Sequence, residues 1–158
     1  MIKIKRIQGN DYKQFTYMEH FTDNIYKNFI ELADYPYLKH TKKEITRLLT
    51  SPNLVLYLII YNHNIIGYAL CEIIKLQDQR TVIFISYIYI NQTYRHKKIG
   101  SSVMYDIKNY AMQLNLDGVA LICNTDDDRI INFYYQKGYM PDMILRRYNK
   151  YDVLSISV

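Results

Sequence analysis

The 158-residue chain has no tryptophan, two cysteines, three prolines and five glycines. Each shortage excludes something. Cys71 and Cys123 both sit in apolar, strand-like runs. They read as buried thiols, not as a disulfide or a metal pair. No Cys/His cluster has zinc spacing, so no metal site is expected. No apolar run approaches the ~20 residues of a membrane helix. The N-terminus, Met-Ile-Lys-Ile-Lys-Arg-Ile, alternates apolar and basic residues where a secretory signal would be continuously apolar. A soluble, cytoplasmic protein with no membrane partner is expected. So few prolines and glycines leave no linker, and there is no internal repeat or low-complexity tract. One domain over residues 1–158 follows.

What is present is 49% hydrophobic residues, which argues against disorder. The net charge is +5 and the sequence pI about 9.0, which favours anionic ligands. The 18 tyrosines need no stacking role. Tyr, Ile, Asn and Lys share AT-rich codons, so genome composition accounts for much of the excess.

Ile2, Ile4 and Ile7 mark a first strand. Residues 11–33 read as a helix, with Phe15, Met18, Phe21, Ile25, Phe29 and Leu32 on one face, and residues 34–37 as a loop. Thr41 with Glu44 three residues on is a capping-box start for a second helix, ending near Ser51-Pro52. Strands are predicted over 55–61, 65–74 and 82–90, with a turn at Asn62-His63-Asn64. A helix follows over 99–114, with Ile99, Val103, Ile107 and Ala111 inward, then a buried strand over 118–123. Residues 127–137 form a last helix that Gly138 ends as a left-handed cap. Residues 143–149 and 151–157 read as two closing strands. The class is α/β (α+β): a mixed, mostly antiparallel sheet with helices on both faces, in the order β-α-α-β-β-β-α-β-α-β-β.

The stretch from Ile88 to Ser102 carries the chemistry. It is a strand that runs through a basic loop directly into a helix. The first N–H groups of a helix lack intrahelical partners, and with the helix dipole they make a phosphate site. Arg95, Lys97 and Lys98 add positive charge there, and Gly100 lets a ligand approach the backbone.

The segment Arg95-His96-Lys97-Lys98-Ile99-Gly100 resembles the acyl-CoA-binding motif of the GNAT superfamily of N-acyltransferases: Arg or Gln, two residues, Gly, one residue, then Gly or Ala. Arg95 and Gly100 match, and Lys98 stands where the family most often has its first glycine. Residues 127–139 resemble the family's late signature through Phe133-Tyr134 and Gly138-Tyr139. Asp127 stands at the usual Asn position and Ile130 at the usual Ala position. The resemblance covers most of the chain.

It implies an acetyltransferase fold and acetyl-CoA as cofactor, with an amine acceptor, either small molecule or protein, as the other partner. The cofactor would meet Ile88 and Ile90 on the strand, then Arg95, His96, Lys97, Lys98, Ile99, Gly100 and Ser101. It would also meet Asp127, whose simplest reading is a helix N-cap, and Tyr134. A backbone N–H near Ile90 would face the developing oxyanion. Tyr134 would protonate the leaving thiolate, since a phenol of reference pKa about 10 holds its proton at neutral pH. Tyr135 is the fallback, and packing on a helix face is the plain alternative. Residues 85–90 hold no acid, so Glu72 on the neighbouring strand is the nearest candidate base, with a Ser86 and Tyr87 water relay as another. Glu19, His20 and Glu31 lie in the segment that would wall the acceptor site. Many relatives dimerise through C-terminal strands, which leaves room for a homodimer.

Two other readings stay open. A catalytically idle relative would bind acyl-CoA as a sensor. A nucleic-acid module would use the scattered basic residues and tyrosines, but interleaved acids such as Asp126, Asp127 and Asp128 disfavour it.

Overall fold

The computed structural model describes residues 1–9, 11, 23, 27, 41–147 and 149–158. The predicted helix over 11–33, the loop over 34–37, and Glu19, His20 and Glu31 lie outside the described residues. Asp11, Asp23 and Lys27 are the exceptions in that segment, and Asp23 pairs with Lys42 at 2.9 Å. The elements are β1 (Ile2–Gln8), α1 (Lys42–Leu49), β2 (Leu54–Tyr61), β3 (Asn64–Lys75), β4 (Thr81–Ile90), a 3-10 turn (Gln92–Tyr94), α2 (Ile99–Gln113), β5 (Gly118–Asn124), α3 (Asp128–Gln136), β6 (Met140–Pro141) and β7 (Tyr151–Ser157). The strand order is β1-β2-β3-β4-β5-β7-β6. The β4–β5 pair is parallel, whereas β1–β2, β2–β3, β5–β7 and β6–β7 are antiparallel. The mixed, mostly antiparallel sheet expected from the sequence is therefore present. The chain falls into two compact units, Met1–Glu72 with Tyr87–Thr93 and Ile73–Ser86 with Tyr94–Val158.

In the first unit β2 and β3 join through a tight turn in which Asn62 (φ 48°) and His63 (φ 64°) are both left-handed. Two such residues twist the turn to match the strands, as a type I′ turn requires. Alternation then sorts the side chains. Leu54, Leu56 and Leu58 of β2, Tyr68 and Leu70 of β3, and Tyr87 of β4 pack with Ile45, Leu48 and Leu49 of α1. Thr41 caps α1 by accepting the Glu44 N–H at 3.1 Å, as the sequence implied. Gly67 is needed for the end of β4. A Cβ there would lie 2.6 Å from the Tyr89 carbonyl oxygen.

In the second unit α2 buries Ile99, Val103, Met104, Ile107, Tyr110 and Ala111. Asp127 caps α3 by accepting the Arg129 and Ile130 N–H groups, and capping was its simplest reading. At the other end the Tyr139 N–H reaches the Tyr134 carbonyl and the Gly138 N–H the Tyr135 carbonyl. With Gly138 at φ +89° this is a Schellman cap. Both cysteines are buried and unpaired. Burial, helped by the Asp127 charge, pushes the Cys123 thiol up to about 12.

None of the described residues of the strand expected over 143–149 lies in a strand. Asp142 is the physical reason. Its side chain accepts from the Ile144 and Leu145 N–H groups at 3.0 and 2.8 Å, which bends the chain into a turn. The pairing that exists in its place is the short β6 against β7. Asp142 is 2% exposed and also accepts from Arg80 at 2.8 and 3.0 Å and from the Ser155 hydroxyl at 2.6 Å. The Arg80 guanidinium, aided by Ser155 and the two N–H groups, holds this carboxyl well below the usual range.

Asp142→Ala leaves Arg80 with Asp78 as its remaining carboxylate and two turn N–H groups without their acceptor. Its expected cost is about 3 kcal/mol, read from urea unfolding at pH 7. Because the folded pKa is depressed, the ionised Asp142 stabilises the fold above its unfolded value of about 4 and loses that contribution as pH falls below it. The variant's stability should vary less than the wild type's between about pH 5 and pH 2.

Candidate active site

In the second unit the basic loop over 95–98 leads directly into α2. Arg95 is half-buried, while His96, Lys97 and Lys98 are exposed. His96 (φ 63°) and Lys98 (φ 61°) are left-handed. Alternation of this kind turns successive N–H groups inward and makes an anion-binding concavity. Lys98 is the N-cap residue of α2, and no side chain caps that helix. The first intrahelical bond runs from the Ser102 N–H to the Lys98 carbonyl, so the N–H groups of Ile99, Gly100 and Ser101 precede it. The first turn holds no acidic residue. Ile99 is 6% exposed and anchors the helix start in the core. Three uncapped donors, three cationic side chains and the helix dipole fit a phosphate or pyrophosphate.

Lys98 holds the position at which the resembling family most often has glycine, and its left-handed φ shows why. A non-glycine residue there costs roughly 1–2 kcal/mol. Lys98→Gly should raise stability by about 1 kcal/mol, read as a higher urea midpoint. Gly100 is different. It lies in the first turn of α2 and is not among the glycines of positive φ, so its conformation does not demand glycine.

Also in the second unit, β4 and β5 pair over 82–85 with 118–121, although β4 continues to Ile90 and β5 to Asn124. Tyr134 is 7% exposed and packs edge-on against Phe133 (5.1 Å, 76°) and Tyr139 (5.9 Å, 66°). Tyr135, the fallback, is 40% exposed. An open hollow of about 480 Å³ at the start of α3 is lined by Asn124, Asp126, Asp127, Asp128, Arg129 and Lys150.

The sequence model of the acetyltransferase (GNAT) family matches residues 18–139, which spans both signatures. The chain belongs to the acetyltransferase (GNAT) family. No curated protein is found to match it. Solved structures are similar in fold. Arabidopsis thaliana Naa50 in complex with a bisubstrate analogue, CoA-Ac-MVNAL, aligns with TM-score 0.70 and 17% identity over 99% of each chain. PaiA N-acetyltransferase of Thermoplasma acidophilum in complex with coenzyme A gives 0.71 and 14% over 100% of this chain and 99% of that one. The ribosomal-protein-S18-alanine N-acetyltransferase of Escherichia coli gives 0.71 and 12%, over 100% and 94%.

For a GNAT chain the first unit holds a feature that sequence reasoning missed. Glu72 is on β3, with its side chain 13% exposed, on the face shared with Tyr68 and Leu70. It accepts the Ser51 hydroxyl at 2.7 Å and both terminal nitrogens of Arg47 at 3.3 Å. Arg47 also holds Glu44 at 2.9 and 3.1 Å. Tyr87, one residue before Ile88, is 5% exposed. Burial and the Glu44 charge push its phenol up to about 12, with Arg47 opposing. The Glu44 and Arg47 spacing was a readable helical pair, but nothing in the sequence joined it to Glu72. Ile88 and Ile90 are half-buried at the end of β4. Among the described residues no group of His, Cys, Asp and Glu could hold a metal ion. No described helix is long and apolar enough to cross a membrane.

Proposed function

We propose that this chain is a single-domain N-acetyltransferase that moves the acetyl group of acetyl-CoA to a primary amine of a peptide or small molecule. The observation that carries the reading is the uncapped start of α2 behind the left-handed basic turn, in a chain of the acetyltransferase family. Two of the similar structures contain CoA or a CoA bisubstrate analogue, which supports the same cofactor here.

In this reading acetyl-CoA supplies an activated acetyl thioester. The N–H groups of Ile99, Gly100 and Ser101 hold its pyrophosphate, with Arg95, His96, Lys97 and Lys98 around it. The main chain at Ile88 and Ile90 aligns the pantetheine arm and offers an N–H to the carbonyl oxygen. Asp127 keeps α3 capped, so that Tyr134 is presented for the leaving sulfur, to which its hydroxyl gives a proton. Glu72 accepts the proton of the acceptor amine.

A second reading, acyl-CoA binding without turnover, is favoured by the engagement of Glu72 with Arg47 and Ser51. One experiment separates the two. The protein is incubated with acetyl-CoA and a panel of peptide N-termini, lysine peptides, polyamines and aminoglycosides while CoA thiol release is followed. Amine-dependent release that Tyr134→Phe suppresses supports the enzyme. Saturable acetyl-CoA binding with no release for any amine supports the sensor.

A further inference from the structure

Arg47 and Glu72 form a contact that a catalytic Glu72 would have to break. The distances indicate how. Glu72 is held closely by the Ser51 hydroxyl at 2.7 Å and more loosely by Arg47 at 3.3 Å through both terminal nitrogens. Arg47 has a closer partner in Glu44, which takes its Nε at 3.1 Å to both carboxylate oxygens and one terminal nitrogen at 2.9 Å. The contact between Arg47 and Glu72 is therefore the weakest in the cluster. Breaking it leaves each side chain with a partner. The two halves differ in exposure as well. The Arg47 side chain is 53% exposed on a short helix, whereas the Glu72 side chain is 13% exposed on a central strand.

The charges sum to one net negative, from two carboxylates and one guanidinium. A second cation can therefore be accommodated. Tyr87, beside Ile88, packs with Ile45, Leu48 and Leu49 of α1, the helix that carries Glu44 and Arg47, so that helix lies against the strand whose main chain is assigned to the thioester.

We propose that Arg47 is an internal stand-in for the acceptor: its guanidinium occupies Glu72 until a cationic amine replaces it and Arg47 withdraws to Glu44. This rests on the acetyltransferase reading and names its acceptor class, an amine that arrives protonated and is first held as an ammonium ion. Arg47 is then a specificity-determining residue. It competes at one carboxylate, and an acceptor must supply enough binding energy to displace it.

The test is calorimetric titration of 1,4-diaminobutane into the full-length protein saturated with CoA, so that no turnover is required. Wild type is compared with Arg47→Gln, Glu72→Gln, the double variant, and Lys43→Gln, which removes a positive charge from the same helix. Arg47→Gln should tighten diamine binding about threefold to fivefold, the scale of an exposed ion pair. Glu72→Gln should weaken it more than tenfold. In the Glu72→Gln background Arg47→Gln should bring no gain, and Lys43→Gln should leave affinity within twofold of wild type. An equal gain from Lys43→Gln, a gain that survives loss of Glu72, or no gain from Arg47→Gln overturns the proposal. So does a wild type that binds CoA but none of whose forms binds diamine. A wild type whose melting point does not respond to CoA contradicts the acetyltransferase reading instead, so the two failures are distinct.

Discussion

Gly100→Val is expected to weaken acetyl-CoA binding by more than ~100-fold, equivalent to about 2.7 kcal/mol, while the fold persists. The argument starts from what Gly100 does not do. It is helical and needs no left-handed φ, since Gly9 and Gly138 are the glycines in that region. A glycine inside a helix costs roughly 0.5–1 kcal/mol relative to alanine, so on stability alone it is a poor choice. In the proposed reading it leaves room for the cofactor to reach the N–H groups of Ile99, Gly100 and Ser101. Valine's two methyl groups fill that room, but valine is no worse than glycine as a helix former. Calorimetry with acetyl-CoA should therefore show lost affinity, and thermal unfolding without ligand a midpoint within a few degrees of wild type. Retained affinity would move the pyrophosphate away from α2.

Tyr134→Phe is expected to lower turnover by roughly 10²-fold or more while acetyl-CoA affinity stays within about threefold, because general-acid help is commonly of that size. The substitution keeps the ring. The edge-on packing against Phe133 and Tyr139 survives, and the cost in stability should be about 1 kcal/mol, that of a hydroxyl's interactions. Tyr135→Phe, one residue along and 40% exposed, is the control and should change nothing. Single-turnover thiol release measures the effect directly. Equal rates for wild type and Tyr134→Phe would remove this phenol from the mechanism.

Much of the fold was legible because local chemistry and long-range packing agree. Thr41, Asp127 and Gly138 mark helix ends by side-chain oxygen or by tolerance of positive φ, and each caps in the structure where its type predicted. The strand, basic loop and helix succession around residues 88–102 was visible because apolar alternation stops abruptly at the charges. The strand expected over 143–149 is absent from its described residues because Asp142, by itself an ordinary residue, gathers Arg80 from 62 positions away and two local N–H groups. Long-range partners of that kind leave no periodic trace. The same holds for Glu72. Its strand position was readable, but its engagement by Arg47, 25 residues earlier, was not. Lys98 is the reverse case. The motif marked it as a departure, and only the backbone angle shows that the chain adopts the glycine conformation there without glycine.

The central claim is that the turn at residues 95–101 is a cofactor cradle. Thermal unfolding of the wild type at increasing acetyl-CoA tests it most directly. A ligand that binds the folded state must raise the midpoint by mass action, by about 2.7 kcal/mol of stability at a hundredfold excess over Kd. The account predicts a saturable rise. An unchanged midpoint at millimolar acetyl-CoA would contradict it.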